Sequence, residues 1–183
     1  MKKVSVIILA LILSMSLTSC AYDSFGHETY TNVDDYGAAF ELSEIRFDFV
    51  RNELFPKDVS SLDVERFYYE WELGIVGSAD VETLLSVKYE EKAFLNEMAR
   101  IKLLLDQKIM YDESRFSLPA YVAVLGDSNT SIYALVDADN FKIHYIHLQL
   151  IDEGRIDIPK DFLPEGYSSY GDVSGISFNA YYS

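Results

Sequence analysis

The feature that most constrains this fold is the alternation of apolar and polar side chains from Val64 to Val76. A period of two residues predicts a strand that turns one side toward a core and the other toward solvent. The core side carries Phe67, Tyr69, Trp71, Leu73 and Ile75, and the opposite side carries Arg66, Tyr68, Glu70 and Glu72. Gly77-Ser78 then provides turn chemistry, and a second alternation from Val81 to Tyr89 predicts a partner strand.

The pattern then changes to a helical period. The stripe over residues 90–106 predicts an amphipathic helix, and it consists of Phe94, Met98, Ile101 and Leu105. Three further strands follow, predicted at Leu118–Leu125, Ser131–Val136 and Phe141–Ile151 and connected as a meander by Gly-, Asp- and Asn-containing turns. Residues 38–55 favour a helix, although alternation within them also fits a strand. The order predicts an α+β fold, an antiparallel sheet of about five strands with one or two helices packed on one face.

The first twenty residues show a different organisation. Lys2 and Lys3 precede an unbroken apolar run, Val6–Leu13, and small residues follow it. This order of charge, short apolar core and small residues is typical of a secretory signal peptide. A transmembrane helix needs about 20 apolar residues, and this run is shorter.

The signal segment ends in Leu17-Thr18-Ser19-Cys20, which resembles the lipobox of bacterial lipoproteins. The resemblance implies that a diacylglyceryl group is attached to Cys20 and that signal peptidase II cuts just before it. An ordinary signal peptide, cleaved without lipidation, is the closest alternative. Lipidation predicts a protein held on the extracytoplasmic face of the cell membrane, since two or more acyl chains anchor a domain stably.

Domain organisation follows from this boundary. We expect residues 1–19 to be removed, residues 20–37 to contain the lipidated cysteine and a polar tether, and residues 38–183 to form a single domain. The tether is rich in aromatic residues, so part of it could dock on the domain. From about residue 164 the chain is rich in Gly, Ser and Tyr, which predicts a loose C-terminal tail.

The charge balance limits the classes of partner. The full chain has a formal net charge of −15, and removal of residues 1–19 takes away Lys2 and Lys3 without any acidic residue, which gives −17. Nucleic acid is excluded as a partner because a phosphate backbone requires clustered Lys and Arg. The membrane should be contacted only through the acyl chains. A basic protein or a cell-wall component fits this charge, and a solubilising role of the acidity is the alternative.

The sequence predicts no catalytic residues, no metal site and no cofactor. His144 and His147 lie three residues apart, which places them on opposite faces of a strand. Asp137 and Asp139 have the spacing that begins a calcium loop, but Phe141 and Lys142 follow where such a loop needs Asp or Asn and then Gly. Neither G-x-S-x-G nor a nucleotide-binding glycine motif occurs. A cell-envelope hydrolase that uses paired carboxylates remains the alternative function, since 30 acidic residues are present.

The segments FPKD, FYYEW, KYEE, EMARI, PAYV, YALVD and HYIHLQL resemble uncharacterised small lipoproteins of Gram-positive anaerobes. This resemblance implies a Gram-positive setting and no particular chemistry. The sequence therefore predicts a non-catalytic binding module, and in a sharper form an acidic immunity or inhibitor protein for a cationic partner. The predicted contact surface is Tyr68, Glu70 and Glu72, on the outer side of the first long strand.

Overall fold

The computed structural model describes residues 26–38, 53–73, 79–105, 110–112, 114–127, 130–149, 156–165 and 167. The predicted signal peptide and lipobox lie outside these residues. So do residues 39–52, which make up most of the helix predicted for 38–55, and residues 168–183 of the predicted tail.

Seven antiparallel strands form one sheet in the order β1-β2-β3-β7-β6-β5-β4. The strands are β1 His27–Tyr30, β2 Asp63–Leu73, β3 Ala79–Lys88, β4 Met110–Asp112, β5 Ala120–Asp127, β6 Thr130–Asp137 and β7 Lys142–Gln149, and helix α1 spans Glu91–Leu105 between β3 and β4. The α+β prediction is confirmed, and the sheet has more strands than the five expected. The meander of β5, β6 and β7 is also confirmed. Strand β7 pairs with β3 and thereby joins this meander to β2 and β3 in one sheet.

Strand β2 follows the predicted alternation, whereas β3 is buried at every position from Val81 to Val87. Phe67 and Tyr69 are buried on the side of the sheet that faces α1. Trp71 was expected to be equally buried, but it is only half-buried and packs against the rim of this core. Tyr69 pairs with the same edge strand β1 and is fully buried, whereas the indole of Trp71 lies against Gly26, just before β1 begins.

Helix α1 covers one face of the sheet with the predicted stripe. Phe94, Met98 and Ile101 are buried, and they share a core with Phe67 and Tyr69. The helix begins where the Glu90 carbonyl accepts the Phe94 N–H, and Glu91 lies in the first turn, where the helix dipole favours negative charge.

The opposite face of the sheet has a core of its own. Leu84, Tyr133, Leu135, Ile146 and Leu148 are fully buried there. Residues 156–165, the docked segment, run across this face and contribute further apolar side chains, including Ile158, Phe162 and Leu163. The Tyr133 hydroxyl donates to the carbonyl of Phe162 and thereby fixes the segment on the sheet. Strands β3, β6 and β7 are consequently buried on both sides, as is typical of central strands.

Two of the seven strands are absent from the sequence-based prediction. The first, β1, lies within the predicted tether and pairs with β2 from His27↔Glu72 to Tyr30↔Tyr69. Tyr36 from the same stretch is buried, and its hydroxyl donates to the carbonyl of Pro56. The second is β4, which has three residues. The folded part of the chain therefore includes residues before Ala38.

Candidate functional site

One corner of the sheet brings together acidic residues from neighbouring strands. In the register of β2 and β3, Glu70 lies opposite Glu82 and Glu72 lies opposite Asp80. Residues two apart on a strand share a face, so all four side chains project to the side of the docked segment. Like charges directly opposite each other in a sheet are destabilising. The repulsion within these two successive acidic pairs must therefore be offset by other interactions.

The docked segment adds a fifth carboxylate to this group. Asp157 accepts a hydrogen bond from the Tyr68 hydroxyl at 2.9 Å, and the same hydroxyl lies 2.6 Å from Glu70 Oε2. Tyr68 thus bridges two carboxylates, one from the sheet and one from the segment that crosses it. Burial, followed by these two hydrogen bonds, raises the pKa of Tyr68 well above its usual value, so the hydroxyl remains a donor. We call Glu70, Glu72, Asp80, Glu82 and Asp157 the acidic corner.

Glu82 is the buried member of the acidic corner. Its side chain has no exposed surface, and its Oε1 accepts the N–H of Ile158 at 2.7 Å and that of Asp157 at 3.0 Å. Burial raises its pKa to about 6, although the two N–H groups favour the charged form. The Glu82 side chain therefore holds the docked segment on the sheet through two backbone N–H groups of that segment.

Basic groups are present at the margin of the corner. The His27 Nε2 lies 2.8 Å from Glu70 Oε1, so β1 adds a titratable partner to this carboxylate. Arg66 donates to the backbone carbonyl of Asp157 at 3.1 Å. Burial, and then the nearby charges of Glu82 and Asp80, raise the pKa of Tyr167 to about 12. The corner is thus built from β1, β2, β3 and the docked segment together.

Three members of the corner could coordinate a cation. Glu70, Glu82 and Asp157 each offer a carboxylate oxygen, and these atoms lie within 4.8 Å of one another. Hard cations such as Ca²⁺ prefer oxygen ligands of this type. The sequence predicted no metal site, because residues 70, 82 and 157 are far apart along the chain and have no motif spacing.

The predicted contact residues do come together, but in a more enclosed setting than expected. Tyr68, Glu70 and Glu72 lie on one face, and all three are half-buried, whereas the prediction placed them on a solvent-facing side. The docked segment covers part of that side, which was not foreseen. Sequence reasoning also missed Asp80, Glu82, Asp157 and His27. No sequence signal indicated Asp80 and Glu82, since a two-residue turn at Gly77-Ser78 would pair them with Ile75 and Leu73, whereas the observed register is centred on residue 76.

The corner also bears on the alternative of a carboxylate hydrolase. A raised pKa such as that of Glu82 is typical of a general acid. However, Glu82 has no exposed surface, and its oxygens accept backbone N–H groups. Its carboxyl therefore stabilises the fold and is not accessible to a substrate. The exposed side chain of Asp157 and the partly exposed one of Glu70 can reach a ligand more readily.

The remaining sequence candidates are accounted for within the fold. His144 lies on the face of the docked segment, where it stacks near Phe162 and contacts Ser86, while His147 lies on the α1 face. Asp137 caps the short 3₁₀ helix Ala138–Asn140 by accepting the N–H of Asn140, which confirms the predicted turn. These residues therefore form no shared site.

A second polar network lies on the α1 face, and its contacts are those of a structural brace. The Tyr145 hydroxyl donates to Glu97 at 2.6 Å, and Glu97 pairs with Arg100 at 2.6 Å. Arg100 in turn donates to the carbonyls of Glu53 and Leu54. This network links β7, α1 and residues 53–54, and its groups are engaged with one another.

Within the residues described here, no helix has the length and apolar character needed to cross a membrane. Comparison of the chain with protein families, with curated proteins and with solved structures finds no match. The function is therefore argued from the acidic corner and from the sequence.

Proposed function

We propose that this protein is a lipid-anchored extracytoplasmic lipoprotein that acts as a non-catalytic binding module and captures a cationic partner on its acidic corner. The observation that carries the proposal is the gathering of five carboxylates at one corner of the sheet, which includes the cross-strand pairs Glu70↔Glu82 and Glu72↔Asp80. A positively charged partner would lower the repulsion among these carboxylates.

The acidic composition alone fits either a binding role or a solubilising role. The arrangement of the charges supports the binding role. A solubilising surface scatters its charges over the molecule. Here, carboxylates from three parts of the chain gather around Tyr68 and are held in place by hydrogen bonds. Preorganised charge of this kind steers a partner of opposite sign and fixes its orientation.

The partner that fits is a basic protein surface, as expected of an immunity or inhibitor protein whose target is a cationic toxin or enzyme. A cell-wall component that carries ammonium groups offers the same chemistry. Attachment through Cys20 would keep the domain at the outer face of the cell membrane, where such a partner arrives.

A capture experiment tests this proposal. The bait is the mature chain with Cys20→Ser, which retains β1, and it is incubated with envelope extract at low and high salt. The test variant is Glu72→Gln with Asp80→Asn, which leaves in place the carboxylates that contact the Tyr68 hydroxyl and the Glu82 carboxyl that holds the docked segment. The matched control is Glu91→Gln with Asp139→Asn, two exposed residues outside the corner, which changes the net charge equally.

We expect the test variant to bind the captured partner with an association rate about tenfold lower at low salt, and the control variant to behave as wild type. Equal binding by both variants would remove the corner as the contact surface. Release of soluble fragments from purified cell wall by the wild-type chain would instead favour the carboxylate hydrolase.

A further inference from the structure

The outer side of α1 differs in character from the rest of this acidic protein. Leu95 and Leu103 are 59% and 71% exposed, and with Tyr111 they are the exposed large apolar side chains of the described residues. Leu95 and Leu103 lie eight residues apart on one line of the helix, and the exposed Ala99 lies midway between them. The helix therefore presents a short apolar stripe outward, in addition to the stripe that it buries.

Lysines flank this stripe. Lys92 and Lys102 are exposed and fall within the same sector of the helix as Leu95 and Leu103. Glu91 is exposed and lies on the same line, four residues before Leu95, so the two lysines exceed the acidic side chains of this sector by one. Glu97 is turned toward the fold, where it pairs with Arg100. The outward sector is thus apolar and positively charged, although the whole chain carries −15.

We propose that this surface of α1, formed by Lys92, Leu95, Ala99, Lys102 and Leu103, docks on an anionic lipid bilayer. Leucines that enter the interface and lysines that meet anionic head groups are the two attractions of an interfacial helix. The inference rests on the anchoring part of the proposed function. It goes beyond it by assigning an orientation to the domain and a second, protein-made contact with the membrane, whereas the overall charge predicts contact through the acyl chains alone.

The proposed anchor lies close in sequence to the described fold. Five residues separate Cys20 from Gly26, where the described fold begins. A chain of that length spans roughly 20 Å when fully extended. A domain held so close to the membrane must turn one of its surfaces toward it, and the choice then depends on surface chemistry.

The overall negative charge does not oppose this orientation. Charges at a surface are screened over about 8 Å at physiological ionic strength, and α1 alone is about 10 Å thick. The acidic corner lies on the other face of the sheet, so the sheet and α1 together separate it from head groups that contact α1. Docking through α1 would also leave the acidic corner facing away from the membrane, accessible to a partner.

The test places an environment-sensitive fluorophore on the native lipoprotein, reconstituted in vesicles. Cys20 is the single cysteine of the chain, so Leu103→Cys introduces a defined labelling site. The matched control is Lys160→Cys, an exposed position on the docked segment, on the opposite face of the sheet. The vesicles contain either phosphatidylcholine alone or an equimolar mixture with phosphatidylglycerol, together with a spin-labelled quencher lipid. Wild-type protein taken through the same labelling reports any signal from Cys20.

On the mixed vesicles we expect a blue-shifted emission at position 103 and quenching at least about threefold stronger than at position 160. Lys92→Gln with Lys102→Gln should lower that quenching to the level seen on phosphatidylcholine. Equal quenching at both positions would overturn the inference, and so would a blue shift at position 103 without vesicles, which would indicate a second protein copy.

Mass spectrometry of the same sample shows whether Cys20 is acylated. An unmodified Cys20 refutes the anchor of the proposed function, and the docking of α1 is then judged by the position-103 emission alone. An acylated Cys20 with no response at position 103 leaves the anchor intact and refutes the docking.

Discussion

Replacement of Glu82 by Gln should change how stability depends on pH. The buried carboxyl has a pKa of about 6 in the folded protein, against 4.5 for a solvated glutamate. The folded state therefore binds the proton more tightly than the unfolded state. The stabilisation from this group is complete below pH 4.5 and is lost as the pH rises through 6.

The size of the effect follows from the shift. A difference of 1.5 in pKa between the two states corresponds to about 2 kcal/mol in the free energy of unfolding. Gln is uncharged throughout this range, and its oxygen can accept the same N–H groups of Asp157 and Ile158. We therefore expect Glu82→Gln to match wild type near pH 4.5 and to exceed it by about 2 kcal/mol at pH 7.5.

Urea unfolding at a series of pH values, followed by the fluorescence of Trp71, measures this difference directly. The chain carries Cys20→Ser so that no lipid interferes. Glu82→Ala is the informative companion, because it leaves two N–H groups unpaired and should cost about 2–4 kcal/mol at every pH. If wild type and Glu82→Gln show parallel dependence on pH between 4.5 and 7.5, the assignment of a raised pKa to Glu82 is refuted.

Three further predictions concern the core and the anchor. Trp71→Ala should cost about 2 kcal/mol, roughly half the usual loss for a fully buried large aromatic residue, and a cost as large as that of Phe67→Ala in the same urea assay would contradict its place at the rim. Tyr145→Phe removes the hydrogen bond to Glu97 and should cost about 1.5–3 kcal/mol, with an unchanged melting temperature as the contrary result. Cys20→Ala should abolish metabolic labelling with a fatty acid, and persistent labelling would disprove lipidation at the lipobox.

The long elements could be predicted because their residues repeat with a clear period. The alternation in β2 and the stripe of α1 each bury one side, so the pattern alone identifies strand, helix and buried face. Strand β1 has no such pattern, since His27, Glu28 and Thr29 are all exposed at the edge of the sheet. Strand β4 has three residues, which is too short for a period to appear.

The candidate site was predictable only in part, for a related reason. Tyr68, Glu70 and Glu72 share a strand, so their common face follows from local alternation. Asp157 joins them through a segment that is held by tertiary contacts, and no local pattern encodes that approach. Glu82 gave no signal, since the alternation predicted for Val81 to Tyr89 placed it on the side opposite the core, and only the docked segment buries it.

The most direct test of the acidic corner as a contact surface is an NMR titration of the ¹⁵N-labelled Cys20→Ser chain with the partner recovered by capture. We expect amide shifts to concentrate at residues 68–72, 80–82 and 157–158 and to weaken as ionic strength rises. Shifts concentrated in α1 or in β5 and β6, with no change at residues 68–72, would show that the acidic corner is not the contact surface.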